Sequence, residues 1–283
     1  MTSTGSHRPR KRLGQHFLAD RGVVRSILDA SGLGPSDRVL EIGPGRGALT
    51  LPLARGVSHV LAVEKDRDLA EWLRQALQAR GVDNVTLLCE DILRFDFDLL
   101  DRFSPCGAQV IGNLPYNVST PVLERLIRNR RRILRAVLMF QKEVADRLTA
   151  SPGGRTYGAL TVLVGVHARV RRVLRVGREA FRPRPQVASA VVELDFAFPH
   201  PARPRDETWF RRVVKGAFAH RRKTLQNALA ASFPAIERDE VRGALVDCGI
   251  DPSRRAETLG IEEYIRLGRA FSTLTREPLP ADS

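Results

Sequence analysis

Asn113-Leu114-Pro115-Tyr116 sets an amide, a carbonyl ahead of a proline and an aromatic ring side by side, directly after the run Ala108–Gly112. That combination fits one kind of chemistry. The exocyclic amine of adenine is a poor nucleophile because its lone pair is delocalised into the ring. Two acceptors aimed at its hydrogens draw it towards tetrahedral geometry and free that pair. The Asn113 side-chain oxygen can be one acceptor. The Leu114 carbonyl can be the other, because Pro115 biases the residue before it towards extended backbone and so helps to fix that carbonyl's direction. Tyr116 can stack on the base, a contact worth about 1–3 kcal/mol. No strong base is needed, since the proton can leave after the nitrogen has reacted, and catalysis is mostly positioning and hydrogen bonding. A plain strand-to-helix turn asks for none of this, as Ser119-Thr120-Pro121 already offers a cap.

A second group of residues points at a ligand. The stretch "VLEIGPGRGALT" reads as strand, glycine turn (Gly43, Gly45, Gly47) and helix. Glycines let backbone approach a ligand closely, and ligands of doubly wound sheets bind outside the carboxyl ends of the strands. The spacing is G-x-G-x-G, not the G-x-G-x-x-G of dinucleotide enzymes. Glu64 ends the next strand, where an acid can accept from ribose hydroxyls. Asp91, in "CEDI", follows the third strand, where it can accept from an adenine amine. Two carboxylates near the turn would repel a pyrophosphate and favour a cation. S-adenosylmethionine, with its sulfonium and ammonium, is the natural candidate.

Positioning these groups requires a regular scaffold. Residues 38–43, 59–64, 84–89, 108–113 and 133–140 read as strands, and 47–56, 67–81 and 120–129 as helices between them. Such alternation predicts an α/β fold with a parallel, doubly wound sheet covered on both faces. Residues 160–174 and 187–196 read as two further strands, forming an antiparallel pair at one edge. A proline-rich linker follows (198–204), and beyond it only helical periodicity remains. The expected organisation is a basic N-terminal segment (1–20), a ligand-binding α/β domain (21–200) and a small all-α domain (205–283).

Charge narrows the partner. The net charge is +14, and residues 128–184 carry 15 basic against 3 acidic residues, which is nearly the whole excess. Further clusters stand at Arg8–Arg12 and His220–Lys223. A predominance of arginine over lysine in one segment favours a phosphate-binding face, hence nucleic acid. No apolar run approaches the roughly 20 residues that span a bilayer. The polar, basic first residues do not read as a secretory leader. Cys89, Cys106 and Cys248 lie far apart, so neither a disulfide framework nor a metal site is expected. The expected compartment is the reducing cytoplasm.

These residues together resemble the ribosomal RNA adenine N6,N6-dimethyltransferase family, in its small-subunit type. "RKRLGQHFLAD", "LEIGPGRGALT", "EKDRDLA", "GNLPYNVSTPV", "QKEVADRL", "FRPRPQVASAVV", "AFAHRRKTLQNAL" and "GIDPSRRAETL" fall in family order between about Arg10 and Phe271. The resemblance implies a Rossmann-like, S-adenosyl-L-methionine-dependent methyltransferase sheet of seven mostly parallel strands with a helical C-terminal domain. It implies two methyl groups transferred to each of two adjacent adenosines near the 3′ end of small-subunit ribosomal RNA, within a pre-30S particle, by a monomer. It also implies cofactor contacts from His16, Leu18, Gly43, Glu64, Asp91 and Asn113. His16 stands where the family more often has asparagine; imidazole can still hydrogen-bond. Phe181 resembles the aromatic that covers the other face of the target base. Arg221, Arg222 and Lys223 would hold RNA backbone around a base drawn out of its stack.

Three other readings share some of these features. An erythromycin-resistance type methyltransferase acts on large-subunit RNA with the same catalytic domain, but "HRRKTLQNAL" and "GIDPSRRAETL" favour the small-subunit type. A non-catalytic RNA-binding assembly factor would not need an intact Asn113–Tyr116. A dinucleotide dehydrogenase fits the fold but not the glycine spacing.

Overall fold

The computed structural model describes residues 16–274. The Arg8–Arg12 cluster and most of the expected N-terminal segment therefore lie outside the described residues. Nine strands are described: β1 (Phe17–Leu18), β2 (Arg38–Ile42), β3 (His59–Glu64), β4 (Val85–Cys89), β5 (Ala108–Asn113), β6 (Ile133–Gln141), β7 (Arg169–Val176), β8 (Phe181–Arg182) and β9 (Ser189–Asp195). The helices among them are α1 (Arg21–Ser31), α2 (Thr50–Gly56), α3 (Arg67–Gln78), α4 (Leu99–Phe103), α5 (Ser119–Arg128), α6 (Lys142–Leu148) and α7 (Ala159–Gly165). Four more follow: α8 (Glu207–Ala219), α9 (Leu225–Ser232), α10 (Arg238–Asp247) and α11 (Ile261–Leu274).

Seven strands form one sheet in the order β4-β3-β2-β5-β6-β9-β7. β2 pairs in parallel with β3 on one side and β5 on the other, so the chain winds away from β2 in both directions. That reversal opens a crevice at the carboxyl ends of β2 and β5, where open α/β sheets bind ligands. The strands sort this way because they are apolar on both faces. Val39, Leu40, Val60, Ala62, Val110 and Ile111 are all at most 2% exposed, as strands covered by helices on both sides must be. β9 runs antiparallel to β6 and β7 and lies between them. The expected antiparallel pair is present, with β7 alone at the edge.

One expectation is corrected. Residues 160–174 do not form one strand: Ala159–Gly165 is helix α7, and the strand starts at Arg169. The run "LTVLVGV" is apolar but for Thr161, and a short, nearly continuous apolar run does not distinguish a buried helix from a buried strand. Its partners decide. Val162 and Val166 enter a core with Trp209, Phe210, Leu245 and Tyr264, and the Tyr157 hydroxyl donates to Leu259 O at 2.8 Å.

The chain divides into two compact units. One runs to Ala145 and resumes over Ala168–Phe198; the other takes Asp146–His167 and continues from Pro199. The linker expected at 198–204 is thus where the second unit resumes, but that unit also claims a segment assigned by sequence to the α/β domain. Within the second unit, the helical periodicity after the linker breaks at His220–Thr224, where Thr224 accepts from Asn227 N to start α9.

Candidate active site

The glycine turn is tied to β3 by Gly43 N donating to Val63 O (3.0 Å) and closes on itself by Gly47 N donating to Pro44 O (2.8 Å). Gly43, Gly45 and Gly47 have φ of 66°, 55° and 74°. A Cβ on Gly45 would sit 3.3 Å from the Phe17 ring, and one on Gly47 would sit 2.7 Å from Leu73 Cδ1. The second contact would push the end of the Leu73 side chain aside, and the positive φ favours glycine at this position whatever the space.

Glu64 ends β3 with its carboxylate already engaged: Oε2 accepts from Gly45 N at 3.0 Å and Oε1 from Asp66 N at 2.8 Å. One side chain thereby fastens the turn to the start of α3. Burial raises its pKa, a tendency the two N–H donors partly oppose. Asp91 behaves in the opposite way. Its partial burial opposes ionisation, but the Lys65 ammonium at 2.6 Å, the Leu93 N–H and nearby Arg94 together lower its pKa. Lys65 was not singled out from sequence, although "EKD" contains it. Beneath the turn, burial pushes Glu41 up to about 8, with Glu64 adding to the effect. Glu41 Oε2 and the Thr50 hydroxyl have no hydrogen-bond partner among the described residues.

These groups line a cleft of about 920 Å³, counting its open mouth. Its walls are apolar (Ile42, Val63, Leu69, Ile92, Leu114), and Glu64, Asp66, Glu90 and Asp91 supply four carboxylates against the single amine of Lys65. A cationic nucleoside fits this lining: apolar walls for a purine, acceptors for ribose hydroxyls, and a surplus of negative charge for a sulfonium and an ammonium. The same surplus disfavours a pyrophosphate.

Asn113 ends β5 at the same edge. Its amide Nδ2 donates to His16 O at 3.1 Å. A carbonyl can only accept, so this partner settles which way the amide lies. The Asn113 side-chain oxygen makes no hydrogen bond among the described residues and is left as the acceptor. After it the turn closes by Val118 N donating to Pro115 O at 3.1 Å, which does not use the Leu114 carbonyl. The Leu114 side chain itself is 1% exposed and anchors the turn. Tyr116 lines the cleft, half-buried, with its hydroxyl 2.8 Å from Ser189 Oγ. Burial raises that hydroxyl's pKa, so it remains neutral near pH 7. Ser119 does not act as an N-cap: its hydroxyl donates to Tyr116 O at 3.4 Å, and no side chain caps α5.

His16 lines the cleft, with its ring 5.6 Å from that of Tyr116 and Nδ1 2.9 Å from Pro183 O. Leu18 and Phe181 are placed differently from expectation. They face each other across the β1–β8 pair, and both enter the apolar core with Ile27, Val176 and Val191. Phe181 is 0% exposed and Leu18 6%, so neither side chain lines the cleft. The reason is strand alternation, which turns Phe17 and Leu18 to opposite faces. Phe17, passed over by sequence reasoning, is the one facing the ligand side, beneath the Arg46 guanidinium at 4.8 Å.

The basic segment is also partly reassigned. Arg132 pairs with Asp98 and Asp101, Arg169 with Asp195 and Arg171 with Glu193. Three of the fifteen basic residues are thus held by carboxylates, while Arg128, Arg131, Arg175 and Arg184 remain exposed and without an ion pair among the described residues. In the second unit Arg221 is tied to Arg155 O at 3.1 Å and lies 4.0 Å from Glu257. Arg222 and Lys223 are exposed and make no ion pair among the described residues. Among the described residues, no group of three or more potential ligands could hold a metal ion, and no helix is long and apolar enough to cross a membrane.

Known proteins resemble this chain in sequence and in fold. A protein named ribosomal RNA small subunit methyltransferase A from Syntrophotalea carbinolica is 47% identical, covering 93% of this chain and 97% of its own. The protein of the same name from Desulforapulum autotrophicum is 46% identical over 93% and 92%. Among solved structures, a dimethyladenosine transferase from Plasmodium falciparum superposes with a TM-score of 0.74 at 25% identity, covering 91% of this chain and 98% of its own. The 23S rRNA methyltransferase ErmE gives 0.68 at 26%, covering 90% and 99%. The erythromycin-resistance type thus shares the architecture, whereas the sequence itself lies much nearer the small-subunit enzymes. The profile of the family described as "Ribosomal RNA adenine dimethylase" matches residues 6–271, and with an asparagine acceptor and an acid-lined glycine turn at one sheet edge, this chain belongs to that family.

Proposed function

We propose that this chain dimethylates the N6 amine of two adjacent adenosines near the 3′ end of small-subunit ribosomal RNA, in the cytoplasm, as a monomer acting on a pre-30S particle. S-adenosyl-L-methionine is the methyl donor, and when bound it supplies an electrophilic methyl on a sulfonium. The observation that carries the reading is the Asn113 amide, held by the His16 carbonyl so that its oxygen is the acceptor offered to the cleft.

The chain's own residues act by placement. Glu64 and Asp91 accept from the nucleoside, and the glycine turn lets backbone approach it. The Asn113 oxygen and Leu114 carbonyl accept the two amine hydrogens of the target adenine, while Tyr116 stacks on its ring. The tyrosine hydroxyl is too weak an acid to serve as a base in its anionic form, and the proton departs to water after transfer. The α/β unit is the cofactor-binding methyltransferase domain and the helical unit an RNA-binding one. Arg222 and Lys223, which make no ion pair among the described residues, contact phosphate, whereas Arg221 braces its own unit. The double variant Arg222→Ala/Lys223→Ala is expected to weaken RNA binding and to shrink the log-affinity against log-salt slope by about 1 for each phosphate no longer neutralised. Titrations at several salt concentrations measure it, and an unchanged slope contradicts the assignment.

The function is tested by incubating isolated small and large ribosomal subunits with isotopically labelled methyl donor and analysing the RNA by mass spectrometry. Doubly methylated adenosine in small-subunit RNA is expected; label confined to large-subunit RNA refutes the proposal.

A further inference from the structure

Tyr116 belongs to a single helical turn, Tyr116–Val118, on the loop after β5. A ring on so short a turn needs bracing if a base is to stack on it in one orientation. Two contacts brace it. The His16 ring lies against it at 5.6 Å with planes 30° apart, which restricts rotation about the ring's long axis. The hydroxyl meets Ser189 Oγ at 2.8 Å, 73 positions away in sequence, which fixes where that axis points.

Ser189 is well suited to hold a ring still. It is the first residue of β9, 2% exposed, and pairs with Gln141 of β6 on one side and Val176 of β7 on the other. Lys142 N donates to Ala188 O at 2.9 Å just beyond it. Topology explains its location. β9 is antiparallel to β6, so it begins at the edge where the parallel strands end. Asn113 lies opposite Met139, and Met139 opposite Val191; Ser189 stands two residues further towards the cleft. We infer that Ser189 is a positioning residue for methyl transfer, whose hydroxyl, held within the sheet, aims the Tyr116 ring at the target adenine. This rests on the adenine-methylating reading above.

The test compares Ser189→Ala, Tyr116→Phe and the double variant with the unaltered chain, using small ribosomal subunits that lack the modification. If the hydrogen bond positions the ring, breaking it from either side has the same effect. Each variant, and the double, loses roughly tenfold in kcat, about what one hydrogen bond supplies, with KM for the methyl donor unchanged. Losses that multiply in the double variant overturn the inference, as does a lowered melting temperature with unchanged kcat. A crystal structure of Ser189→Ala supplies a readout independent of activity: the Tyr116 ring is expected displaced or in two orientations, and an unmoved ring overturns the inference. A chain that methylates no adenosine on small subunits refutes the functional reading instead, and the ring position still decides the role of Ser189.

Discussion

Asn113→Ala lowers methyl transfer by at least about a hundredfold while RNA binding survives. The magnitude follows from losing a preorganised hydrogen-bonding group at the reacting centre, which typically costs about 10²–10³ in kcat. The structure argues that the loss is local. Asn113 is paired with Met139 through its backbone, so the alanine keeps the end of β5 in place. His16 loses the Asn113 amide as a partner, but the strand it precedes remains paired with β8 and its ring with Pro183. Asn113→Asp sharpens the test. It keeps an acceptor but sets a carboxylate oxygen against the His16 carbonyl, so it should also be severely impaired. Single-turnover methylation and filter binding of RNA measure the two quantities separately. Turnover within about threefold of the unaltered chain would refute the acceptor role, on a scale where tenfold is about 1.36 kcal/mol.

Glu64→Ala is expected to raise the dissociation constant for S-adenosylmethionine by about 10–100-fold, since hydrogen bonds to a charged group contribute roughly 1.5–3 kcal/mol. The side chain does two things, accepting from the ligand and fastening Gly45 N and Asp66 N. Its removal therefore loosens the turn as well as deleting a ligand partner. The raised pKa gives the effect a pH signature. Burial makes the carboxylate protonate at higher pH than an exposed glutamate, and only the ionised form offers acceptors on both oxygens. Affinity is full above that raised pKa and falls as pH drops through it. Glu64→Gln should flatten this dependence. Calorimetric titration across the acid range reads both results, and an unchanged affinity in Glu64→Ala would rule out this carboxylate as a ligand contact.

The scaffold was legible because each parallel strand is a short apolar run closed by a turn residue that must face the crevice. Gly43, Glu64, Asp91 and Asn113 could be placed at the crevice from strand ends alone, since topology delivers every parallel strand end to the same edge. Side-chain direction was less legible. Leu18 and Phe181 were expected at the ligand and lie in the core, because a two-residue strand gives no alternation pattern to read. The helix at Ala159–Gly165 was read as strand because its core partners come from residues beyond 200. Ser189 was invisible for a related reason: its importance lies in which tyrosine it meets across the sheet, and "VASAVV" carries no trace of that. The arginine-rich segment was legible as charge but not as pairing, since Asp195 and Glu193, which neutralise two of its members, belong to a later strand.

The placement of β9 between β6 and β7 also sets an order of events during synthesis. Every residue lining the cleft lies before residue 119 and emerges from the ribosome early. β6 and β7 then follow, yet neither has its shared neighbour until residues 189–195 appear. For that interval the nascent chain carries a nearly complete ligand cleft beside an open strand edge, the kind of surface that recruits other strands. A fragment ending before Ser189 would hold the whole glycine turn and the asparagine and still expose that edge. Pairing of β9 with β6 and arrival of the hydroxyl that meets Tyr116 are one event, so the site is completed only when the open edge of β6 is covered.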